Sequence, residues 1–80
     1  MTEEDIFAIV KKNLLDVRPL LDPKEITADR SMAELGANSV DRMEVITLTM
    51  EDLGLRIPLM SFAGVRNLKG LIETLHSHIA

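Results

Sequence analysis

The sequence contains no cysteine, tryptophan or tyrosine, and only two of its 80 residues are aromatic. The missing cysteine excludes disulfides, thiolate metal sites and a cysteine nucleophile, and it favours a cytoplasmic location. The longest apolar run, Phe7 to Val10, is far shorter than the roughly 20 residues that cross a bilayer. The first residues are acidic, whereas a secretory signal begins with positive charge. We therefore expect neither export nor a membrane partner.

Positive charge is also scarce, because nine basic residues face 13 acidic ones and the formal net charge is −4. All but one of the acidic residues lie within residues 1–53. Most of this surface would repel a nucleic acid, which excludes that partner. The 46% of hydrophobic residues instead predicts one small globular domain over residues 1–80, too small for a large enclosed active site.

Apolar residues at helical spacing predict a first helix over about 3–17 and a second over about 39–53. Thr2 and Asp5 form a capping-box pattern before the first helix, and Gly54 suits a left-handed cap after the second. The loop of roughly twenty residues between them is long enough to indicate a function. Its apolar residues are expected to pin it to the core: Leu20, Leu21, Ile26, Met32 and Leu35.

Two further helices are predicted in the last third of the chain. A short helix III fits between Leu59 and Gly64, after Pro58. Asn67 can cap a last helix, whose expected buried stripe is Leu68, Leu71, Ile72, Leu75 and Ile79. No run of residues alternates as in a strand. The predicted fold class is therefore all-α, a four-helix bundle with three longer helices, one short helix III and a long loop between helices I and II.

Helix II is apolar on two faces, and 80 residues cannot easily bury both. One face is Val45, Ile46, Thr49 and Leu53. The second stripe is Val40, Met43, Thr47 and Met50. Either helix II is central, with the second stripe covered by the long loop, or that stripe is a partner-docking surface.

Polar residues with possible chemistry lie near both ends of the predicted bundle. Ser39 stands where the loop becomes helix II, a place that favours a bound phosphate, although spacing alone favours a plain serine N-cap. Asp41 and Glu44 are expected to complement the helix dipole and to contact partners rather than to act as an acid–base pair. His76 and His78, two residues apart, do not share a helix face, so we predict no metal site.

The segment around Ser39 resembles the signature of acyl carrier proteins, whose pattern is Leu-Gly-Ala-Asp-Ser-Leu-Asp. The corresponding residues are Leu35-Gly36-Ala37-Asn38-Ser39-Val40-Asp41. Further similarities cover nearly the whole chain: Ile26-Thr27, Ser31, Ile57-Pro58 and Val65 to Leu68. The resemblance implies an acyl-carrier-like bundle that is not an enzyme. It also implies that a phosphopantetheinyl transferase attaches 4′-phosphopantetheine from coenzyme A to Ser39, so that the cofactor brings the thiol this sequence lacks.

Two departures from the family pattern point to a subgroup. Asn38 replaces the usual aspartate, and the segment Leu59–Gly64 is apolar where other members have an acidic helix III. These two departures, and the sequences of Gly36–Arg42 and Phe62–Leu68, resemble those of one subgroup. It consists of the free-standing donor carriers of polyketide β-branching cassettes. This resemblance implies a monomer that donates an acetyl or propionyl thioester to a 3-hydroxy-3-methylglutaryl (HMG) synthase-like enzyme. An acyl-loading or decarboxylating ketosynthase-like enzyme is implied as a further partner.

The docking contacts are expected around the start of helix II and in helix III. They are Asn38, Val40, Asp41, Arg42, Met43, Glu44, Thr47, Met50 and Phe62. Arg42 is a candidate selector, because it would repel a partner's positive charge and accept a carboxylate.

Other functions stay open on the sequence. One is a fatty acid or chain-elongating polyketide carrier, and another is a module that binds a partner helix through Met43 and Met50. A third is a hydrolase that uses Ser39 with a histidine, although the chain lacks a Gly-x-Ser-x-Gly turn.

Overall fold

The fold consists of three α-helices joined by a long loop and a short link. A computed structural model describes residues 1–79, in which α1 spans Glu3–Val17, α2 spans Ser39–Leu53 and α3 spans Leu68–Ser77. Single turns of 3-10 helix occur at Pro23–Glu25 and Leu59–Phe62, and these 79 residues contain no strand. The predicted bounds of the first two helices are confirmed. The expected short helix III is one 3-10 turn rather than an α-helix.

Capping side chains begin and end the helices where the sequence predicts. Thr2 Oγ1 accepts a hydrogen bond from Asp5 N at 3.2 Å, and Asp5 Oδ2 accepts one from Thr2 N at 3.0 Å. These bonds hold the pKa of Asp5 below its ordinary value. Gly54 follows α2 with φ 66°, a left-handed conformation that glycine adopts without strain. Asn67 Oδ1 accepts from Gly70 N at 2.9 Å and caps α3.

The helix α1 is the centre of the bundle, because both α2 and α3 pack against it. Its Ile6, Val10 and Leu14 side chains are fully buried. Four of the five residues expected in the buried stripe of α3 are buried; the fifth, Ile79, is partly buried beyond the end of the helix. By contrast α2 buries only Val45 and Thr49. The interpretation of helix II as the central helix is therefore wrong: its second apolar face has no helix to cover it.

The long loop is held to the core by Ile26, Met32 and Leu35, which are buried, and by Leu21, which is partly buried. Leu20 is fully exposed and contributes nothing to this attachment, contrary to expectation. Backbone bonds join the loop to the start of α3. There the Leu68 and Lys69 N–H groups donate to loop carbonyl oxygens at 2.9 and 2.8 Å. The loop consequently supplies two of the acceptors that the first turn of α3 needs.

One buried polar contact lies between the antiparallel helices α1 and α2. The Asn13 side-chain amide donates to Thr49 Oγ1 and to Asp52 Oδ2, both at 3.0 Å. The Thr49 hydroxyl in turn donates to the carbonyl oxygen of Val45 at 2.8 Å. Lys12 Nζ lies 3.4 Å from the same Asp52 oxygen. The Asn13 bond is the main reason that the pKa of Asp52 lies below its ordinary value, with Lys12 acting in the same direction.

No helix within residues 1–79 combines the length and the apolar character that a bilayer span requires.

We expect Asn13→Ala to lower the free energy of unfolding by about 1–3 kcal/mol, because it leaves the buried Thr49 hydroxyl without its donor. Chemical denaturation followed by circular dichroism measures this change. The control is Lys12→Ala, which removes only an exposed partner of Asp52 and should cost less than about 0.5 kcal/mol. Equal losses for the two variants would contradict a structural role for the buried amide.

Candidate functional site

The helix α2 begins with a reciprocal cap one residue before Ser39. Asn38 Oδ1 accepts a hydrogen bond from Asp41 N at 2.8 Å, and Asp41 Oδ2 accepts one from Asn38 N at 3.2 Å. Asn38 is therefore the N-cap and Ser39 is the first residue of the helix. The sequence-based reading of Ser39 as the N-cap is wrong, because the asparagine and aspartate side chains already satisfy the groups that a serine cap would have bonded.

The Ser39 side chain is left available by this arrangement. Ser39 is exposed, and its hydroxyl forms no hydrogen bond within the described part of the chain. Across residues 1–79, no acceptor is provided for the N–H groups of Ser39 and Val40 either. An exposed hydroxyl beside two free N–H groups at the positive end of a helix suits a covalently attached phosphate. The site can thus offer a nucleophilic oxygen and an anion cradle, but no base that is hydrogen-bonded to this oxygen within residues 1–79.

The backbone before Ser39 is braced from two sides by arginine side chains. Arg18, at the end of α1, places Nη1 3.8 Å from Asp41 Oδ2. Arg42 Nη1 donates to the carbonyl oxygen of Ala37 at 3.1 Å. Gly36 has φ +87°, a left-handed conformation that favours glycine, and a Cβ there would lie 3.3 Å from Arg18 Nη2, so the end of that side chain would have to shift slightly. Arg18 was not identified from the sequence, since only the antiparallel pairing of α1 and α2 brings it to the site.

The second stripe of α2 faces outward. Val40 is 70% exposed and Met43 is 52% exposed, Thr47 is exposed, and Met50 is partly buried against the core. The long loop does not cover this stripe. Of the two readings of the sequence, burial under the loop is therefore wrong.

The last residue of the predicted docking set, Phe62, is placed differently from the prediction. Phe62 is only 7% exposed and belongs to the hydrophobic core, so its side chain cannot form a docking contact on this surface. The turn Leu59–Phe62 instead exposes its first two residues, and Met60 is 84% exposed. Between α2 and the link that precedes this turn lies an apolar groove of about 440 Å³ that Met50 and Pro58 help to line.

The polar residues of the predicted docking set divide into two groups. Asn38 and Glu44 are exposed. Asp41 and Arg42 are partly buried and already bonded within the loop–helix junction. The latter pair therefore shapes the loop–helix junction.

The two histidines lie away from Ser39. His76 Nδ1 is 4.0 Å from Glu3 Oε2 on α1, and His78 Nδ1 is 2.9 Å from the carbonyl oxygen of Thr74. Within residues 1–79 no group of three or more potential metal ligands is assembled. Neither histidine is hydrogen-bonded to Ser39, so this arrangement offers no support for a serine hydrolase.

We expect Asn38→Ala to destabilise the protein by about 1 kcal/mol, because the N–H of Asp41 loses its acceptor at the start of α2. Thermal unfolding measures the loss. Asn38→Asp is the matched variant, since it keeps the acceptor oxygen and should retain most of the stability. If both variants were equally destabilised, the cap would not be the reason.

Comparisons with known proteins agree with this geometry. Residues 10–75 match the family described as a phosphopantetheine attachment site. The chain is 39% identical to the polyketide biosynthesis acyl-carrier-protein AcpK of Bacillus subtilis over 79 residues, 99% of this chain and 96% of that protein. It is 35% identical to the chloroplastic acyl carrier protein 1 of Casuarina glauca over 77 residues, 92% of this chain but 54% of that relative.

A solved structure shares the fold. It is the crystal structure of the curacin biosynthetic pathway HMG synthase in complex with an acetyl donor acyl carrier protein. One of its chains matches with a TM-score of 0.89 and 34% identity, over 96% of this chain and 99% of that chain.

The family match over most of the chain and the near-complete coverage of a 39% identical relative agree on one assignment. The domain of this family carries covalently attached 4′-phosphopantetheine, a group that the exposed Ser39 hydroxyl and the adjoining N–H groups fit. The chain belongs to the phosphopantetheine attachment-site family and is an acyl carrier protein, a carrier rather than a catalyst.

Proposed function

We propose that Ser39 is the attachment residue and that the loaded protein donates an acetyl or propionyl group to an HMG-synthase-like enzyme in polyketide biosynthesis. The observation that carries the attachment is the free Ser39 hydroxyl as the first residue of α2, beside unbonded N–H groups. When attached, the cofactor supplies a flexible arm whose thiol holds an acyl group as a thioester. The role of the protein is to hold the attached cofactor at the capped start of α2.

Attachment follows from the chemistry that this site offers. The Ser39 oxygen forms a bond to the phosphorus that carries pantetheine in coenzyme A, and the pyrophosphate bond breaks so that 3′,5′-ADP leaves. The hydroxyl proton passes to a base of the phosphopantetheinyl transferase, because neither histidine of this chain bonds to Ser39. The N–H groups of Ser39 and Val40 would hold the new phosphodiester.

The donor role rests on the relatives and on the surface of α2. The B. subtilis relative is a polyketide carrier, and the matching structure contains an acetyl donor bound to its HMG synthase. The plant relative is covered over 54% of its length and its name specifies no acyl group, so it does not favour either carrier class. A ketosynthase-like enzyme that loads or decarboxylates the acyl group, and a monomeric state in solution, belong to the same proposal.

The docking surface that we propose follows one side of α2. Its apolar part is Val40, Met43, Thr47 and Met50, and its polar edge is Asn38, Asp41, Arg42 and Glu44. Leu59 and Met60 extend it in place of Phe62. Exposed methionines suit a partner surface because the side chain is flexible and polarisable.

Incubation with coenzyme A and a broad-specificity phosphopantetheinyl transferase should add the mass of one phosphopantetheine to the wild-type protein. Ser39→Ala should remain unmodified, because it has no attacking oxygen, whereas the exposed control Ser61→Ala should be modified like the wild type. Intact-mass spectrometry decides between these results. Modification of Ser39→Ala would overturn the assignment of the attachment residue.

The acetyl-loaded protein should transfer its acyl group to the active-site cysteine of an HMG-synthase-like enzyme. We expect Met43→Asp to lower kcat/KM for transfer about tenfold, the size of a moderate interface contact of about 1.4 kcal/mol. Leu20→Asp is the control, because it places the same charge on an exposed apolar residue of the loop that is not part of the proposed docking surface. Equal transfer by an ordinary fatty acid carrier would remove the donor-specific part of the proposal.

A further inference from the structure

A cleft of about 340 Å³ lies beside the start of α2, between the long loop and the beginning of α3. Its lining combines apolar and basic side chains: Ser31, Met32, Ala33, Arg42, Val65, Arg66, Asn67 and Leu68. Met32 and Leu68 are core residues whose buried side chains form its floor. A cleft of this size falls within the range of small-molecule sites.

The charge of this cleft differs from that of the rest of the protein. It is lined by two arginines and no carboxylate, although the chain as a whole has a net charge of −4. Each of the four other surface cavities described within residues 1–79 has at least one acidic residue in its lining. An anion would therefore be attracted to this cleft and repelled by much of the remaining surface.

The two guanidinium groups have free hydrogen-bond donors. Arg42 donates through Nη1 to the carbonyl oxygen of Ala37, which leaves most of its five N–H groups available. For Arg66 the structure of residues 1–79 shows no hydrogen bond and no ion pair. A guanidinium group binds a carboxylate in a planar, two-bond geometry, and the unused donors of both arginines suit that ligand.

The cleft lies within reach of a group carried on Ser39. Arg42 is three residues further along α2, and residues at that spacing are neighbours on a helix surface, with Cβ atoms about 5–6 Å apart. A phosphodiester on Ser39 would already have the N–H groups of Ser39 and Val40 as partners. The cleft's arginines are therefore available to a second anion at the far end of the arm.

We propose that this cleft holds the free carboxylate of a dicarboxylic acyl group, carried as a monothioester on the arm. The proposal rests on attachment at Ser39 and extends it to the class of acyl group that the carrier retains. The carboxylate binds Arg42 and Arg66, and the short carbon chain lies against Met32, Val65 and Leu68. An acetyl group has no charge for the arginines and stays outside, free for transfer.

The experiment compares the carrier with a free thiol, with an acetyl group and with a malonyl group, each loaded enzymatically and verified by intact mass. Amide ¹H–¹⁵N NMR spectra of the malonyl and acetyl forms should differ mainly at residues 31–33 and 65–68. Reaction of the malonyl thioester with hydroxylamine should be about two- to fivefold slower than that of malonyl-pantetheine, the effect of one or two partly exposed ion pairs. The acetyl thioester on the protein should react with hydroxylamine at about the same rate as acetyl-pantetheine.

Arg66→Gln should abolish both the spectral difference and the protection. Arg56→Gln is the matched control, because this arginine lines the groove at the other end of α2, and it should change neither. A melting temperature close to that of the wild type shows that each variant is folded.

Three results would overturn the proposal. The first is identical spectra of the malonyl and acetyl forms. The second is an equal perturbation of the cleft by the free-thiol arm, which would assign the arginines to the phosphodiester. The third is malonyl-dependent shifts that survive Arg66→Gln. If intact mass shows no phosphopantetheine on the protein, the proposed attachment at Ser39 is wrong. That result is distinct from the three results that concern the cleft.

Discussion

The contact between α1 and α2 depends on one buried amide. Asn13 donates to Thr49 and Asp52, and these bonds fix how far the two antiparallel helices slide past each other. Apolar packing alone tolerates small shifts, whereas a buried donor left without its acceptor costs about 1–3 kcal/mol. The register set by Asn13 brings the end of α1 next to the beginning of α2, where Arg18 meets Asp41.

The proposed attachment site at Ser39 is a consequence of that register combined with a local cap. Asn38 and Asp41 bond to each other's backbone N–H, and Arg42 anchors the carbonyl oxygen of Ala37. Within residues 1–79 these bonds leave the Ser39 hydroxyl and the N–H groups of Ser39 and Val40 without a partner. A modifying enzyme can recognise a hydroxyl that is held on a rigid helix end. The movement that carries an acyl group then comes from the attached arm.

The two sides of α2 offer different chemistry. Val40 and Met43 lie on an apolar, uncovered side, which suits transient contact with an enzyme. Arg42 belongs to a basic cleft shared with the start of α3, which suits an anion held within the carrier. If both roles hold, the charge of the acyl group decides whether it is kept against the protein or presented to a partner.

Much of the fold follows from local sequence signals. Helix ends are set by contacts between residues at most four positions apart. Examples are the caps at Thr2 and Asn67 and the left-handed Gly54. The helix bounds could therefore be predicted. The Ser39 signature was equally local. The cap was misplaced by one residue because asparagine and serine have similar capping preferences, and only the observed bonds of Asn38 distinguish them.

Contacts between distant residues were beyond such reasoning. The sequence by itself determined where the helices run, which serine follows the loop and how acidic the surface is, since these depend on residue types and short spacings. Only the tertiary structure decided that α1 is central, that Phe62 is buried, and that Arg66 and Arg42 line one cleft. These outcomes depend on which apolar faces of the helices pack against one another. That choice involves several segments at once, so it cannot be predicted from any one of them.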